Sequence, residues 1–230
     1  MNYGGGQIVA ESGEINALRF AAHALGHPRP FVLFDVGANT GIYLRTALEV
    51  LGRDVTAYSF EPQSASFREL KQIMSGLSKV HLRQAAVGKE PGVARLEFQS
   101  DLDIGASIGG QGNRESFSAE AVPIITIDQF CEQEGIRSID LLKIDTEGYE
   151  MEVLLGASKM IESGAVRSIQ FEFGETFLAT PHHFIDFWKL LSPRFTIYRI
   201  LRRGLEELHN YSGDLEIYKL ANFLCIHKSR

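Results

Sequence analysis

The sequence predicts an α/β fold, with a Rossmann-like, mostly parallel sheet, helices on both faces and a C-terminal antiparallel hairpin. Two observations predict it. Short apolar segments alternate with helical periods along most of the chain, which is typical of parallel strands covered by helices. The last two apolar segments then follow one another without a helical period between them. The 230 residues, 44% of them hydrophobic, suffice for one core, and we expect a single domain over 1–230.

The first half of the chain begins with an extension and packing helix at residues 1–26. The catalytic core is expected at residues 30–226. Its first elements are a strand at 31–36, a helix at 40–51, a strand at 55–60, a helix at 62–77 and a strand at 80–87. Proline is favoured in the first turn of a helix, so Pro62 is expected to start the second of these helices.

The second half opens with alternation at residues 93–98, which predicts an extension strand. Residues 99–121 are polar and rich in glycine, and either a mobile segment over a site or a plain surface loop fits them. The alternation then resumes with a helix at 126–134, a strand at 139–144, a helix at 149–161, a strand at 166–173, a helix at 181–191 and closing strands at 195–201 and 218–227.

Charge and cysteine usage restrict the class of protein. The net charge of −6 disfavours binding to long nucleic acid or to an anionic membrane. Cys131 and Cys225 have no metal-binding or redox spacing. The N-terminus lacks the pattern of a signal peptide, and no apolar run approaches the ~20 residues of a membrane span. We therefore expect a reduced, cytoplasmic protein.

The segment FDVGANTG, residues 34–41, lies at the end of the first strand. Gly37 would let the turn approach a ligand, Gly41 would let the next helix pack closely, and Asn39 tolerates left-handed backbone. The dinucleotide-binding pattern G-x-G-x-x-G is absent, and the carboxylate of Asp35 would repel a pyrophosphate but suits an amine. The segment disfavours a dinucleotide-dependent reductase, although a glycine-rich connection without a ligand also fits it.

An acid ends the second strand. Glu61 follows Gly41 by 20 residues, and an acid in this position can bind both hydroxyls of a ribose. The other interpretation is an acid that is favoured at a helix start by the helix dipole. With the FDVGANTG turn present on the neighbouring strand, we favour the ribose.

The motifs together resemble the class I S-adenosylmethionine-dependent methyltransferases, and the FkbM family most. The resemblance is carried by FDVGANTG, FEP at 60–62, VPIITIDQF at 122–130, DLLKIDTEGYEMEVLLGA at 140–157, IQFEFGE at 169–175 and NFL at 222–224. It implies methyl transfer from S-adenosylmethionine to a hydroxyl of a sugar, a glycan or a polyketide-type natural product.

The resemblance also implies which residues contact the cofactor. Asp35 and Gly37 would shape its methionine end, with Asn39 nearby, and Glu61 would hold the ribose. From topology alone, Ala86 at the end of the third strand could border the adenine, and core packing is the stronger interpretation of this residue. The cofactor-binding candidates are thus Asp35, Gly37, Asn39, Gly41, Glu61, Ala86 and Asp145.

The catalytic candidates are Asp145, Glu172 and Lys143. Lys143 and Asp145 lie two residues apart at a strand end and so share one face, beside the expected donor methyl group. An ion pair of purely structural role is the alternative. Glu172 lies among aromatic residues, which would raise its pKa and suit a proton acceptor.

Three further residues are weaker candidates for the base: Glu175, His182 and His183. The two histidines are adjacent at a helix start and point in different directions, so they do not predict a joint metal site. Asp145 and Glu172 could instead both bind Mg²⁺ through oxygen, and the sequence does not choose between base and metal ligand.

The expected partner is a small-molecule or glycan hydroxyl acceptor, with no nucleic acid and no membrane span, and a homodimer is left open. The alternative function is a non-catalytic module that binds S-adenosylmethionine as a sensor or assembly partner. Turnover with a hydroxylated acceptor separates the two.

Overall fold

A computed structural model describes residues 12–27, 30–52, 54–98, 107–108 and 118–228. Twelve strands fall in these ranges: β1 Phe31–Val36, β2 Val55–Phe60, β3 Val80–Arg83, β4 Ala86–Val87, β5 Gly92–Phe98, β6 Ser107–Ile108, β7 Ser118–Ile125, β8 Leu141–Ile144, β9 Ser168–Phe173, β10 Phe195–Leu201, β11 Gly204–Leu208 and β12 Ala221–His227. The helices are α1 Glu14–Ala24, α2 Ile42–Leu51, α3 Ser64–Ile73, α4 Ile127–Glu134, α5 Glu150–Leu155, α6 Ser158–Glu162 and α7 Phe184–Leu191, with 3-10 turns at Glu175–Ala179 and Gly213–Leu215.

The main sheet has eight strands in the order β11-β10-β12-β9-β8-β1-β2-β3. The five strands from β9 to β3 run parallel to one another, while β12 pairs antiparallel with both β9 and β10. The predicted fold class, mostly parallel with antiparallel strands at the C-terminus, is confirmed.

The apolar run in β1 is explained by burial on both faces of the sheet. Leu33 and Phe34 are neighbours in sequence, and both are completely buried. Because strand side chains alternate, Leu33 joins the core under α1, α2 and α3, and Phe34 joins the core under α4 to α7. The two cores therefore lie on opposite faces, as doubly covered parallel sheets require.

The C-terminal strands are arranged differently from a simple hairpin at the sheet edge. The chain leaves β10, forms the outer strand β11, and only then returns as β12, which lies between β9 and β10. Strand β11 was not predicted, because its residues, GLEEL, are mostly exposed and include two adjacent glutamates. Charged side chains of this kind are common on edge strands, where they discourage pairing with other chains.

Two predicted helices have different bounds, and each difference has a local reason. The helix expected from Pro62 begins at Ser64, because Gln63 is its N-cap and has extended backbone. The helix expected over 149–161 divides into α5 and α6 around Gly156. A Cβ at Gly156 would lie 2.0 Å from the carbonyl oxygen of Gly88, so this close approach requires glycine.

The helix predicted at 181–191 begins later, at Phe184, and is preceded by the 3-10 turn at Glu175–Ala179. The N-cap position is taken by His183, whose backbone N–H donates to the Asp186 carboxylate 2.9 Å away. This acid at the third helical position satisfies a backbone group that the helix itself leaves unpaired.

A second sheet has the order β4-β7-β5-β6. The strand predicted over 80–87 is broken, because β3 belongs to the main sheet and β4 to this one. β5 pairs antiparallel with β7 from Gly92 opposite Ile124 to Phe98 opposite Ser118. The polar excursion is therefore shorter than predicted, and apart from residues 107–108 the part of it at 99–117 lies outside the described residues. No described helix has the length and apolar character of a membrane span.

Candidate active site

A cleft opens at the carboxyl ends of three parallel strands, β1, β2 and β8. Val36, the last residue of β1, lies opposite both Phe60 of β2 and Ile144 of β8, so the turns that follow these strands meet. The cleft encloses about 730 Å³, which includes space open to solvent. It is lined by Val36, Gly37, Asn39, Phe60, Glu61, Pro62, Gln63, Ala85, Ala86, Val87, Leu96, Asp145, Thr146, Glu147 and Tyr149. Ligands of open α/β sheets bind at this end of the strands.

The turn after β1 is shaped by its contact with the end of β8. Gly37 has a φ of 78°, and a Cβ at this position would lie 1.8 Å from the backbone oxygen of Asp145. Glycine is therefore needed for the two chain segments to touch, and not only for approach to a ligand. Asn39 has the left-handed backbone that its residue type tolerates, with a φ of 49°. Both residues line the cleft, as predicted.

Glu61 joins the turns after β1 and β2. Its Oε2 accepts the backbone N–H of Asn39 at 2.8 Å, and its Oε1 accepts that of Gln63 at 2.8 Å. The side chain is buried, and this burial raises the pKa of Glu61 to about 7 although the two N–H groups favour its charged form. Each oxygen retains a second lone pair, so the carboxylate can still accept hydroxyl groups from a ligand in the cleft.

Asp35 and Gly41 lie outside the cleft lining. Asp35 is completely buried beneath the turn, and Oδ1 is 3.7 Å from the Lys143 ammonium. Among the described residues, neither of its oxygens has a hydrogen-bond partner. Burial raises the pKa of Asp35 to about 6, and Lys143 opposes the rise. Gly41 is the N-cap of α2, and a Cβ there would lie 2.6 Å from Leu70 of α3. Glycine is needed at this position so that α2 and α3 can lie in contact.

Lys143 is the central cation of the buried layer under the cleft. Its Nζ donates a hydrogen bond to Asp145 Oδ2 at 3.0 Å and lies 4.8 Å from the ring centre of Tyr43. Burial favours the neutral amine, but the carboxylates of Asp145, Asp35 and Glu14 outweigh it and hold the pKa of Lys143 above its usual range. The side chain is only 5% exposed. A charged ammonium has no lone pair, so Lys143 can orient Asp145 but cannot accept a proton.

A series of hydrogen-bonded polar side chains extends from this layer to the N-terminal helix. It was not predicted from the sequence. The Tyr43 hydroxyl donates to Gln170 at 3.3 Å, and the Gln170 amide donates to Glu14 of α1 at 2.9 Å. Burial raises the pKa of Glu14. One signal was available: Gln170 lies between Ile169 and Phe171 in the largely buried strand β9, where an unpaired amide would be costly.

The turn after β8 carries the acids that line the cleft, Asp145 and Glu147. It is held by Glu150, a second residue missed in the sequence, whose oxygens accept the backbone N–H groups of Thr146 at 2.7 Å and Gly148 at 3.0 Å. Burial raises the pKa of Glu150 to about 7, although these hydrogen bonds oppose the rise. Glu150 thus does for this turn what Glu61 does for the other two.

Glu172 lies on β9, beside the strand that leads to Asp145. The pairing of Ile144 with Phe171 makes the two strands neighbours, as predicted. Burial raises the pKa of Glu172 well above its usual range, and the nearby carboxylates of Asp145, Glu147 and Glu150 add to the effect. The group is therefore mainly protonated at neutral pH. Glu172 is not among the residues that line the cleft.

The remaining candidates for a base, Glu175, His182 and His183, are not among the residues that line the cleft. His182 Nε2 lies 3.2 Å from Glu152, and His183 contacts the hydroxyl of Tyr218. Glu175 is exposed at the start of a 3-10 turn.

Within the ranges that the structure describes, no group of three or more His, Cys, Asp or Glu side chains is placed to hold a metal ion. The predicted metal candidates, Asp145 and Glu172, therefore have no third protein ligand of these types there.

The far wall of the cleft is apolar. Ala86 lies in it, together with Val87 and Leu96 from the second sheet and with Ala85, which precedes β4. Small side chains leave room for a flat ring system, and an apolar wall favours its burial.

Comparison with known proteins places this site in a family. The model of the Methyltransferase FkbM domain matches residues 35–193, more than half of the chain. The 2-O-methyltransferase NoeI of Sinorhizobium fredii is 26% identical over 152 residues, which cover 60% of this chain and 61% of that protein. The 31-O-demethyl-FK506 methyltransferase FkbM of Streptomyces tacrolimicus is 29% identical over 154 residues, covering 54% and 58%. The matched part thus spans about three fifths of each relative.

Solved structures agree on the fold. The crystal structure of WbdD superposes with a TM-score of 0.51 at 10% identity, covering 96% of this chain and 40% of that one. The N-terminal domain of human METTL16 gives 0.51 at 11% identity, covering 95% and 71%. At these identities the likeness concerns the class I methyltransferase fold alone. The family match covers more than half of the chain and agrees with this fold and with the cleft at its strand ends, so the chain belongs to the FkbM methyltransferase family.

Proposed function

We propose that the protein transfers a methyl group from S-adenosylmethionine to a hydroxyl of a sugar, a glycan or a natural product. The observation that carries the proposal is the cleft at the ends of β1, β2 and β8, with the carboxylate of Glu61 fixed in its wall. The relatives support an oxygen acceptor, because NoeI is named a 2-O-methyltransferase and FkbM a 31-O-demethyl-FK506 methyltransferase.

The residues present fit the cofactor. Glu61 can accept the two ribose hydroxyls through its remaining lone pairs, since it lies at the end of the second strand. The apolar wall around Ala86 can bury the adenine ring, and the turn from Gly37 to Asn39 borders the methionine part. When bound, the cofactor supplies a methyl group on a positively charged sulfur. Asp35 would act on this end only from beneath the turn, through Lys143 and the backbone.

The acceptor hydroxyl must lose its proton as its oxygen bonds to the methyl carbon. We assign this proton to Asp145, because its carboxylate lines the cleft and its side chain is 37% exposed. Lys143 holds Oδ2 and orients the group, which leaves Oδ1 to accept the proton. Glu172 is the weaker base at neutral pH, because its raised pKa leaves little of it ionised.

The test is a transfer assay with S-adenosylmethionine carrying a radioactive methyl group. The acceptors are a set of oligosaccharides and a set of macrolides with free hydroxyls, and each is also tested in a methylated form that lacks the target oxygen. We expect transfer to at least one free hydroxyl and none to its methylated form. A protein that binds S-adenosylhomocysteine but transfers to neither set would favour the non-catalytic module.

Metal dependence is tested in the same assay. Retained transfer in excess EDTA supports Asp145 as a base, whereas a loss that Mg²⁺ restores would make Asp145 and Glu172 metal ligands.

A further inference from the structure

The charged side chains that line the cleft all have one sign. Glu61, Asp145 and Glu147 are acidic, and among the lining residues that the structure describes there is no Lys, Arg or His. In a partly enclosed site, interactions between charges are stronger than in bulk water. Acidic side chains therefore lie at both ends of the described lining of this cleft.

The buried ammonium of Lys143, beneath the cleft, does not cancel the charge of these acids. Lys143 is 5% exposed and already faces two carboxylates, Asp145 at 3.0 Å and Asp35 at 3.7 Å. Glu14 adds a third acid to the surroundings of the same ammonium. The positive charge is thus matched or exceeded by acids in the layer below the cleft.

The negative charge is unevenly distributed between the two ends of the cleft. Glu61 lies at the end of β2, where the ribose is proposed, whereas Asp145 and Glu147 lie two residues apart in the turn after β8. Glu147 has a φ of 56°, a backbone conformation that a long side chain rarely adopts. Glu150 fixes this turn through the N–H groups on either side of Glu147. The hydrogen bonds to Glu150 therefore stabilise a turn whose backbone conformation at Glu147 is unfavourable.

We propose that Asp145 and Glu147 are specificity-determining residues that favour the cationic methyl donor over its neutral product. This inference rests on the proposed function. In methyl transfer the carbon–sulfur bond breaks and its electron pair stays on sulfur, while the carbon–oxygen bond forms and the hydroxyl proton passes to the base. The sulfur changes from a sulfonium cation to a neutral thioether. The attraction to the two acids is lost in the same step, so the reaction itself weakens the binding of the spent cofactor.

The expected preference for the sulfonium over the thioether follows from the Coulomb attraction between charges several ångströms apart in a partly solvated site. Such an interaction amounts to about a tenfold difference in affinity. Contacts to the adenosine and to the amino acid are the same for donor and product. They therefore do not change the ratio of the two affinities.

The experiment measures affinity by calorimetry without acceptor, so that no turnover occurs. The three probes are S-adenosylmethionine, S-adenosylhomocysteine and sinefungin, an analogue with an ammonium group in place of the methyl sulfonium. We expect both cations to bind about tenfold more tightly than the thioether. Glu147→Gln should reduce this ratio to about threefold or less, and Asp145→Asn should act in the same direction.

Glu61→Gln is the matched control. It removes one acid at the ribose end, so it should weaken all three probes by a similar factor and leave the ratio unchanged. Thermal unfolding of each variant confirms that it is folded. If Asp145→Asn is not folded, Glu147→Gln, at a half-buried position in the same turn, carries the test.

The possible outcomes distinguish a failure of this inference from a failure of the proposed function. If the thioether binds as tightly as the two cations, or if Glu147→Gln and Asp145→Asn leave the ratio unchanged, this inference is overturned and the proposed function stands. If none of the three probes binds, the proposed function itself fails.

Discussion

The two halves of the cleft are held in different ways. In the nucleoside half, Glu61 fixes the turns after β1 and β2 through backbone N–H groups. In the reaction half, Asp145 is held by a buried ammonium, Lys143, which balances acids from distant parts of the chain. Backbone hydrogen bonds tolerate changes of charge nearby, whereas a buried ion cluster does not. Substitutions in the reaction half should therefore affect stability and chemistry together.

Lys143→Met should have the largest effect. It leaves Asp35 buried without its cation, and breaking a buried ion pair from one side costs about 3–5 kcal/mol. We expect a loss of this size in the free energy of unfolding, measured with urea. Adding Asp35→Asn to this variant should recover part of the loss, because the uncompensated charge is gone. A Lys143→Met protein as stable as the parent would show that the cluster does not stabilise the fold.

Asp145→Asn should reduce turnover by ~10²-fold or more, the size of effect expected for a lost general base. Binding of S-adenosylhomocysteine should stay within a few-fold, because this neutral ligand gains little from the charge. Initial rates with any acceptor found by the transfer assay measure the first quantity. Glu172→Gln is the companion variant, and a smaller loss there supports Asp145 as the base. Parental turnover of Asp145→Asn would make this carboxylate structural.

Glu61→Ala tests the nucleoside half. Charge-assisted hydrogen bonds are worth about 1.5 kcal/mol or more, so the affinity for S-adenosylhomocysteine should fall by at least ~10-fold. Because adenosine carries the same ribose, its affinity should fall by a similar factor. Affinity equal to that of the parent would mean that Glu61 serves the turns and not the ribose.

Glu150→Gln should change the pH dependence of stability. Folding raises the pKa of Glu150 from 4.5 to about 7 by burial, so folding favours its neutral form. Its stabilising contribution is complete below pH 4.5 and is lost as the pH rises through 7. The variant, which is neutral throughout, should lose less stability than the parent between pH 5 and pH 8 in urea unfolding.

The control for this pH series is Glu162→Gln, at an exposed position, which should follow the parent over the same range. A Glu150→Gln protein with the parent's slope would assign the titration to other buried acids, with Glu61 first among them.

The same division explains what the sequence could predict. Gly37, Asn39 and Glu61 belong to short motifs at strand ends, and their positions follow from the order of strands and helices. The doubly covered parallel sheet was predictable because the apolar runs of β1, β2 and β8 require helices on both faces. Asp35 was expected beside the cofactor, but local sequence does not tell whether an acid near a strand end faces the cleft or the layer beneath it.

The reaction half depends on contacts between distant residues. Lys143 pairs with Asp35, 108 residues earlier, and Gln170 binds Glu14 across 156 residues. No local pattern contains these pairs, and the spacing of Lys143 and Asp145 alone predicted only their shared face. The role of Glu150 was easier to predict from the sequence, because an acid in the first turn of a helix commonly binds backbone N–H groups nearby.

The central claim is that the cleft holds S-adenosylmethionine and not a dinucleotide, and calorimetric titration with S-adenosylhomocysteine and with NAD tests it most directly. The acids that line the cleft and the lack of basic residues among its described lining disfavour a pyrophosphate. We expect saturable one-to-one binding of S-adenosylhomocysteine, weakened in Glu61→Ala, and no heat of binding with NAD at the same concentrations. Binding of NAD without binding of the thioether would contradict the account.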